Sequence, residues 1–210
     1  VILPHAFDYA GTAVFAVSAV LAAGRKQLDL LGAVIIALVT STGGGTLRDL
    51  LLNRTPFWFT DIGYLVTILV VACTTVLVLR WRHPSERLLE IADAVGVALF
   101  SISGARIAEA AGLPGLIVVV LATITGTFGG LLRDVLCNEI PLLLRPGTIY
   151  GVVVIAGATL YVVLQSLGVS RDIAALAGML LIASLRMVAI ARNISLPALR
   201  IKESKRTGED

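Results

Sequence analysis

Thr40-Ser41-Thr42-Gly43-Gly44-Gly45-Thr46-Leu47-Arg48-Asp49 and Thr125-Gly126-Thr127-Phe128-Gly129-Gly130-Leu131-Leu132-Arg133-Asp134 are two versions of one decamer, 85 residues apart. The same offset aligns Asp8–Pro56 with Asp93–Pro141 without a gap, and 20 of those 49 positions are identical. Asp8, Gly11, Phe15 and Ser18 fall on Asp93, Gly96, Phe100 and Ser103, while Asn53 and Pro56 fall on Asn138 and Pro141. Apolar coincidences arise from composition alone. A shared Gly-Gly-x-Leu-Arg-Asp with downstream Asn and Pro does not, so the chain is an internal duplication.

The residues around this motif name the solvent. Of 210 residues, 57% are hydrophobic and only 15% are Asp, Glu, Lys or Arg, and mean hydropathy is +0.94. A soluble fold of this length cannot hide so much apolar surface, which excludes a globular enzyme. Seven crossings of roughly 20 residues use about 140 and leave about 70 for loops and tail. The net charge of +3 does not indicate nucleic acid, because the basic residues sit at helix ends and in the tail rather than on a soluble module. Cys73 and Cys137, and His5 and His83, are too few and too scattered for a disulfide framework or a metal site. No cofactor is expected, and no phosphate-binding loop or hydrolase motif is present. The first apolar segment lacks a basic leader and a small-residue cleavage site, so it reads as a retained helix.

Short breaks rich in Gly, Pro or charge divide the chain into apolar runs at about 7–23, 30–53, 62–80, 88–108, 116–138, 147–166 and 173–191. The expected fold is an all-α membrane protein of seven transmembrane helices. Residues 1–80 form a first three-helix repeat, 81–167 a second, 168–191 the seventh helix and 192–210 a basic cytoplasmic tail. Three helices is an odd number, so the second copy enters from the opposite face, and the repeats are inverted. Inverted repeats commonly build a transport path at their interface. With the N-terminus outside, inner loops carry Arg25, Lys26, Arg80, Arg82, Arg87 and Arg145, and the tail adds Arg192, Arg200, Lys202, Lys205 and Arg206. The outer side has Arg54 and Arg171, with Arg106 near a helix end. This bias predicts a plasma (inner) membrane protein with its C-terminus in the cytoplasm. Trp58, between Phe57 and Phe59, and Trp81 fall at expected lipid–water boundaries.

The decamers carry the chemistry. Each glycine costs about 1 kcal/mol against Ala inside a helix, so Gly43, Gly44 and Gly45, and Gly126, Gly129 and Gly130, predict a break or kink. A freed backbone group in hydrocarbon needs protein or water as a partner, which places such a kink beside a polar path. Close helix packing is the other reading of the same glycines. Ser41, Thr42, Thr125 and Thr127 supply hydroxyls able to replace part of an ion's water. Arg48, Asp49, Arg133 and Asp134 are ionisable groups inside apolar helices, and such groups generally serve function. Sequence neighbours point about 100° apart on a helix, so Arg48 is not expected to pair with Asp49, nor Arg133 with Asp134. Levels along the helices put Asp8 with Arg48 and Asp93 with Arg133, as bridges or as parts of a gate. Arg186 reads as a side chain snorkelling from the seventh run. Gly147-x-x-x-Gly151 fits a helix-packing motif.

The doubled motif, Gly43-Gly44-Gly45-x-x-Arg48-Asp49 and Gly129-Gly130-x-x-Arg133-Asp134, resembles the prokaryotic branch of the trimeric intracellular cation (TRIC) channel family, over nearly all of the chain from Phe7 to about Ile190. The resemblance implies a homotrimer in which each subunit holds its own pore for monovalent cations, chiefly potassium, with sodium as the other candidate. It implies that the second and fifth transmembrane helices kink at these glycines and frame the pore. Membrane lipids and further copies of the chain are then the partners.

Two functions from different classes follow. In a passive channel, Asp49 or Asp134 supplies field strength while hydroxyls and exposed carbonyls replace hydration. In a secondary transporter for a small amino acid such as glycine, the N-termini of discontinuous helices, with Arg48 or Arg133, would hold a carboxylate.

Overall fold

A computed structural model of the chain describes residues 2–81, 86–145 and 149–192, and of residues 2–6 and 86 the backbone alone. Arg82, His83, Gly147 and the tail beyond Arg192, named above, lie outside the described residues. All regular structure among the described residues is helical: α1 (Ile2–Arg25), α2 (Leu30–Leu51), α3 (Phe57–Thr60), α4 (Gly63–Leu79), α5 (Glu86–Ala110), α6 (Gly115–Leu136), α7 (Tyr150–Ser166) and α8 (Arg171–Arg192). Each expected apolar run holds one long helix, and the single turn α3 is an addition. Five stretches are long and apolar enough to cross a membrane: Phe7–Arg25, Leu30–Leu51, Arg87–Ala110, Gly115–Leu136 and Arg171–Arg192. The other two long helices, α4 and α7, are apolar but have 17 residues each. A 22-residue helix such as α2 or α6 is about 33 Å long, close to the hydrocarbon thickness of a bilayer. This is a multi-pass membrane fold.

Local chemistry sets the ends. Asp29 caps α2 by accepting the Gly32 N–H at 2.7 Å, satisfying one of the first turn's orphan donors. Beyond the end of α2, Asn53 adopts φ 52°; its N–H reaches the Leu50 carbonyl at 3.1 Å and the Arg54 N–H reaches the Asp49 carbonyl at 2.8 Å. That is a Schellman closure with Asn in the left-handed position. Asn138 repeats it after α6 at φ 51°, with the Glu139 N–H on the Asp134 carbonyl at 2.8 Å. The duplicated Asn therefore ends both copies of the motif helix by one mechanism.

The halves meet through equivalent residues. Phe15 stacks on Phe100 with centroids 5.2 Å apart, and the two rings lie over Gly96 and Gly11. A Cβ on Gly44 would overlap the Thr125 carbonyl oxygen, and one on Gly129 would overlap that of Thr40. Every one of these contacts maps onto its partner under the 85-residue offset. Around this centre α4 packs on α1 and α2, and α7 on α6 and α8. The helix α8, which has no counterpart in the first half, also lies along α5. Arg106 to Asp172 at 3.0 Å and Arg171 to Glu109 at 3.4 Å tie those two helices at one end. Gly157 and Gly178 bring α7 and α8 together: a Cβ on either would stand 3.0 Å from the other's carbonyl oxygen.

Candidate functional site

In the first half, Arg48 and Asp49 are both buried, at 3% and 2% exposure. Contrary to expectation they pair with each other: Arg48 Nε and Nη2 lie 2.9 and 2.8 Å from Asp49 Oδ1. The 100° between their Cβ directions is bridged because the long arginine stem curls back along the helix end. The carboxylate is turned to meet it, since Oδ2 accepts the Phe57 N–H at 2.9 Å. The Phe57 ring covers the guanidinium, 5.8 Å from centroid to Cζ, a cation–π contact. Asp8 accepts the Ser103 hydroxyl from α5. Asp8, Arg48, Asp49, Arg54 and Asp61 line one cavity of about 440 Å³. At its wall Tyr9 donates to Asp61 at 2.6 Å and stacks on Tyr64.

The second half repeats the local geometry and closes it. Arg133 Nε donates to Asp134 Oδ1 at 2.8 Å, and Asp134 Oδ2 accepts the Leu142 N–H at 2.8 Å. Leu142 is the counterpart of Phe57. Arg133, with no solvent exposure, also donates from Nη1 to Asp93 Oδ1 at 2.9 Å and to Ser18 Oγ at 3.0 Å. Here a residue from outside the duplication enters. Arg186 of α8 is 5% exposed, its Nη2 is 3.6 Å from Asp93 Oδ2, and its guanidinium lies 4.2 Å from the Tyr150 ring centroid. It does not snorkel outward, because a buried carboxylate and an aromatic face are within reach inside the bundle. Sequence reading missed Tyr150 and the inward turn of Arg186; the available signal was a single cation in the middle of the α8 run.

A second cavity, of about 230 Å³, is lined by Asp134, Lys26, Glu90, Cys137, Glu139 and Arg145, among others. Lys26 grips Glu139 at 2.5 Å, and that hydrogen bond, with the attraction of the same ammonium, holds the Glu139 carboxyl below its usual range. Asp8 borders the first cavity and Ala22 the second, so the cavities lie about 21 Å apart along α1 at a rise of 1.5 Å per residue.

The hydroxyls named from sequence are turned to the backbone. Thr42, Thr125 and Thr127 donate to the carbonyls of Leu38, Leu121 and Thr123 at 2.7, 2.6 and 2.8 Å. Ser41 donates across to the Thr12 carbonyl of α1 at 3.1 Å. The expected break in the motif helices is not formed, for α2 and α6 remain helical throughout. These glycines serve close approach instead: besides Gly44 and Gly129, Gly43 sits under Leu132, Gly45 under the Phe57 ring, Gly126 under Ser101 and Gly130 under the Asp93 carboxylate. Backbones packed this tightly support one another's ladders, so the lost helix propensity is offset without an interruption.

Known proteins resemble this arrangement along nearly the whole chain. A family profile described as Glycine transporter matches residues 5–80 and again 90–166. A UPF0126 membrane protein of Vibrio cholerae is 40% identical over 197 residues, covering 93% of this chain and 82% of that one. The UPF0126 inner membrane protein YadS of Escherichia coli is 36% identical over 206 residues, covering 97% and 100%. Among solved structures, the TRIC trimeric intracellular cation channel orthologue from Rhodobacter sphaeroides superposes with a TM-score of 0.88 at 35% identity, over 92% of this chain and 100% of that one. A second TRIC cation channel structure gives 0.86 at 31% identity, over 97% and 100%. A Caenorhabditis elegans TRIC channel, 13% identical with a TM-score of 0.58, shares the fold. The solved relatives are channels, not enzymes, and this chain belongs with them, in the family described as Glycine transporter whose solved members are the prokaryotic TRIC channels.

Proposed function

We propose that this protein is a passive channel for monovalent cations, chiefly potassium, working as a homotrimer with one path in each subunit. The observation that carries the reading is the match to the Rhodobacter sphaeroides cation channel, at 35% identity and a TM-score of 0.88. The site agrees with it. Two polar cavities open about 21 Å apart along α1, and the buried Arg–Asp clusters of α2 and α6 border them. In this reading α4 and α7 complete seven membrane crossings, and residues 1–80 and 81–167 are inverted repeats, which the exchanged Gly44–Thr125 and Gly129–Thr40 contacts support. The N-terminus lies outside and the basic tail in the cytoplasm of the inner membrane.

Cations gather where carboxylates outweigh guanidinium groups. Asp8, Asp49 and Asp61 face the first cavity with Arg48 and Arg54, one net negative charge in a low-dielectric wall. Asp134 has the corresponding place at the second cavity. The glycines 43, 44, 45, 126, 129 and 130 hold α2 and α6 close enough for these groups to border one path, and bending there would widen it. Amino-acid transport is the less supported reading, because the discontinuous helices that would present N-termini to a carboxylate are not formed.

The test is current across a planar bilayer containing the purified protein in asymmetric potassium chloride. Discrete steps reversing near the potassium potential are expected. A silent bilayer together with saturable glycine uptake into vesicles of the same preparation would overturn the channel in favour of the transporter.

A further inference from the structure

The two halves share Asp, Arg and Asp at equivalent positions, yet their surroundings differ. Asp8, Arg48 and Asp49 border an open cavity with one net negative charge among them. Asp93, Arg133 and Asp134 would carry the same net charge, but Asp93 and Arg133 have no solvent exposure. The difference is Arg186. Its charge brings the second cluster to neutrality, and it sits 3.6 Å from Asp93 Oδ2, in the space next to a carboxylate that a permeating cation would seek. The hold is loose by the standards of buried pairs. Asp93 Oδ2, Arg186 Nε and Arg133 Nη2 are all buried without a hydrogen-bond partner, whereas a buried ion pair offsets its desolvation only with close, well-satisfied geometry. The cation is also carried on α8, which has no counterpart in the duplication.

We propose that Arg186 is a positioning residue that acts through Asp93: a tethered cation that occupies the carboxylate and keeps the second-half end of the path shut. Resting on the conduction reading above, opening is the withdrawal of Arg186 from Asp93, which uncovers a net negative site equivalent to the one already open around Asp8. Tyr150, whose ring lies under the guanidinium, steadies the closed position.

The experiment compares Arg186→Gln and Arg186→Lys in the full chain, with two readouts. The first is the rate at which a positively charged methanethiosulfonate labels Ser18→Cys, in a background with Cys73 and Cys137 replaced by Ala. Ser18 is fully buried and accepts a hydrogen bond from Arg133, so it reports water reaching the closed cluster. The second is bilayer current per intact trimer. Arg186→Gln should raise labelling and current on the order of tenfold, equivalent to removing about 1.4 kcal/mol of closed-state stabilisation, while Arg186→Lys, keeping the charge, stays near the parent. Unchanged labelling in intact Arg186→Gln, or equal opening by the Lys variant, overturns the proposal. Faster labelling with no current from any variant upholds the latch and overturns the channel. If Arg186→Gln does not fold, Arg186→Gln with Asp93→Asn removes the stranded carboxylate. That double variant should fold and label fast, and labelling at the parent rate would overturn the latch.

Discussion

Gly44 lies against the carbonyl of Thr125 so closely that no side chain fits between them, and Gly129 stands in the same relation to Thr40. The pair of contacts joins α2 to α6 through backbone on both sides, and backbone cannot swing away as a side chain can. Gly44→Ala and Gly129→Ala should each destabilise the protein by about 1–3 kcal/mol, the usual cost of overpacking. Gly43 differs, because its Cβ would meet only Leu132 Cδ1, at 2.8 Å. Leu132 can rotate, and Ala adds helix propensity, so Gly43→Ala should be close to neutral. Thermal unfolding of the detergent-solubilised protein ranks the three, and equal losses would show that contact with backbone is not the determinant.

Asp134 holds Arg133 with one oxygen and the Leu142 N–H with the other. Truncation strands a buried guanidinium and a buried donor together. Asp134→Ala should cost about 3–5 kcal/mol, as for other broken buried pairs. Asp134→Asn keeps a carbonyl acceptor and should cost less. The same unfolding measurement separates them, and Asp49→Ala should behave like Asp134→Ala.

Asn53 and Asn138 carry their helix ends in the left-handed region. A residue with a Cβ but no local hydrogen-bonding side chain suffers there by roughly 1–2 kcal/mol. Asn53→Ala and Asn138→Ala should lose about that much, whereas Asn→Gly at either site should match the parent or exceed it. Midpoints that fall equally for Ala and Gly would point to the amide side chain and away from backbone conformation.

Glu139 titrates below the ordinary carboxylate range because Lys26 holds its charged form. A carboxyl depressed in the folded state stabilises the protein above its unfolded pKa, and that contribution disappears as pH falls through the folded value. The contribution should therefore be full at pH 7 and lost below about pH 4.5, the ordinary value for Glu. Lys26→Gln should flatten that part of the stability–pH curve. An unaltered acid limb in Lys26→Gln would assign the dependence to other carboxylates.

Much of this molecule is written in linear order. The offset of 85 residues exposes the duplication because Gly, Arg, Asp, Asn and Pro are scarce in lipid-facing helices and do not recur in register by chance. Helix positions follow from apolar runs, since backbone groups in hydrocarbon must bond within their own segment. The Arg48–Asp49 and Arg133–Asp134 pairs were not legible. Helical wheel geometry places Cβ atoms and says nothing of a four-atom arginine stem that curls back to its neighbour. The glycine clusters were ambiguous for a related reason: a loosened helix and a closely approached one use the same residue.

What the amino-acid sequence determined by itself was the solvent, the seven apolar segments, the duplication and the identity of the charges committed to the interior. These rest on composition and periodicity, which are properties of one strand of chain. Only tertiary structure decided which charges meet, that Gly44 and Gly129 serve contact, and that Arg186 turns inward to Asp93. Two residues 93 positions apart, Asp93 and Arg186, share no local pattern. Their pairing arises because α8 packs along α5, and a buried cation moves toward whichever carboxylate that packing brings within reach.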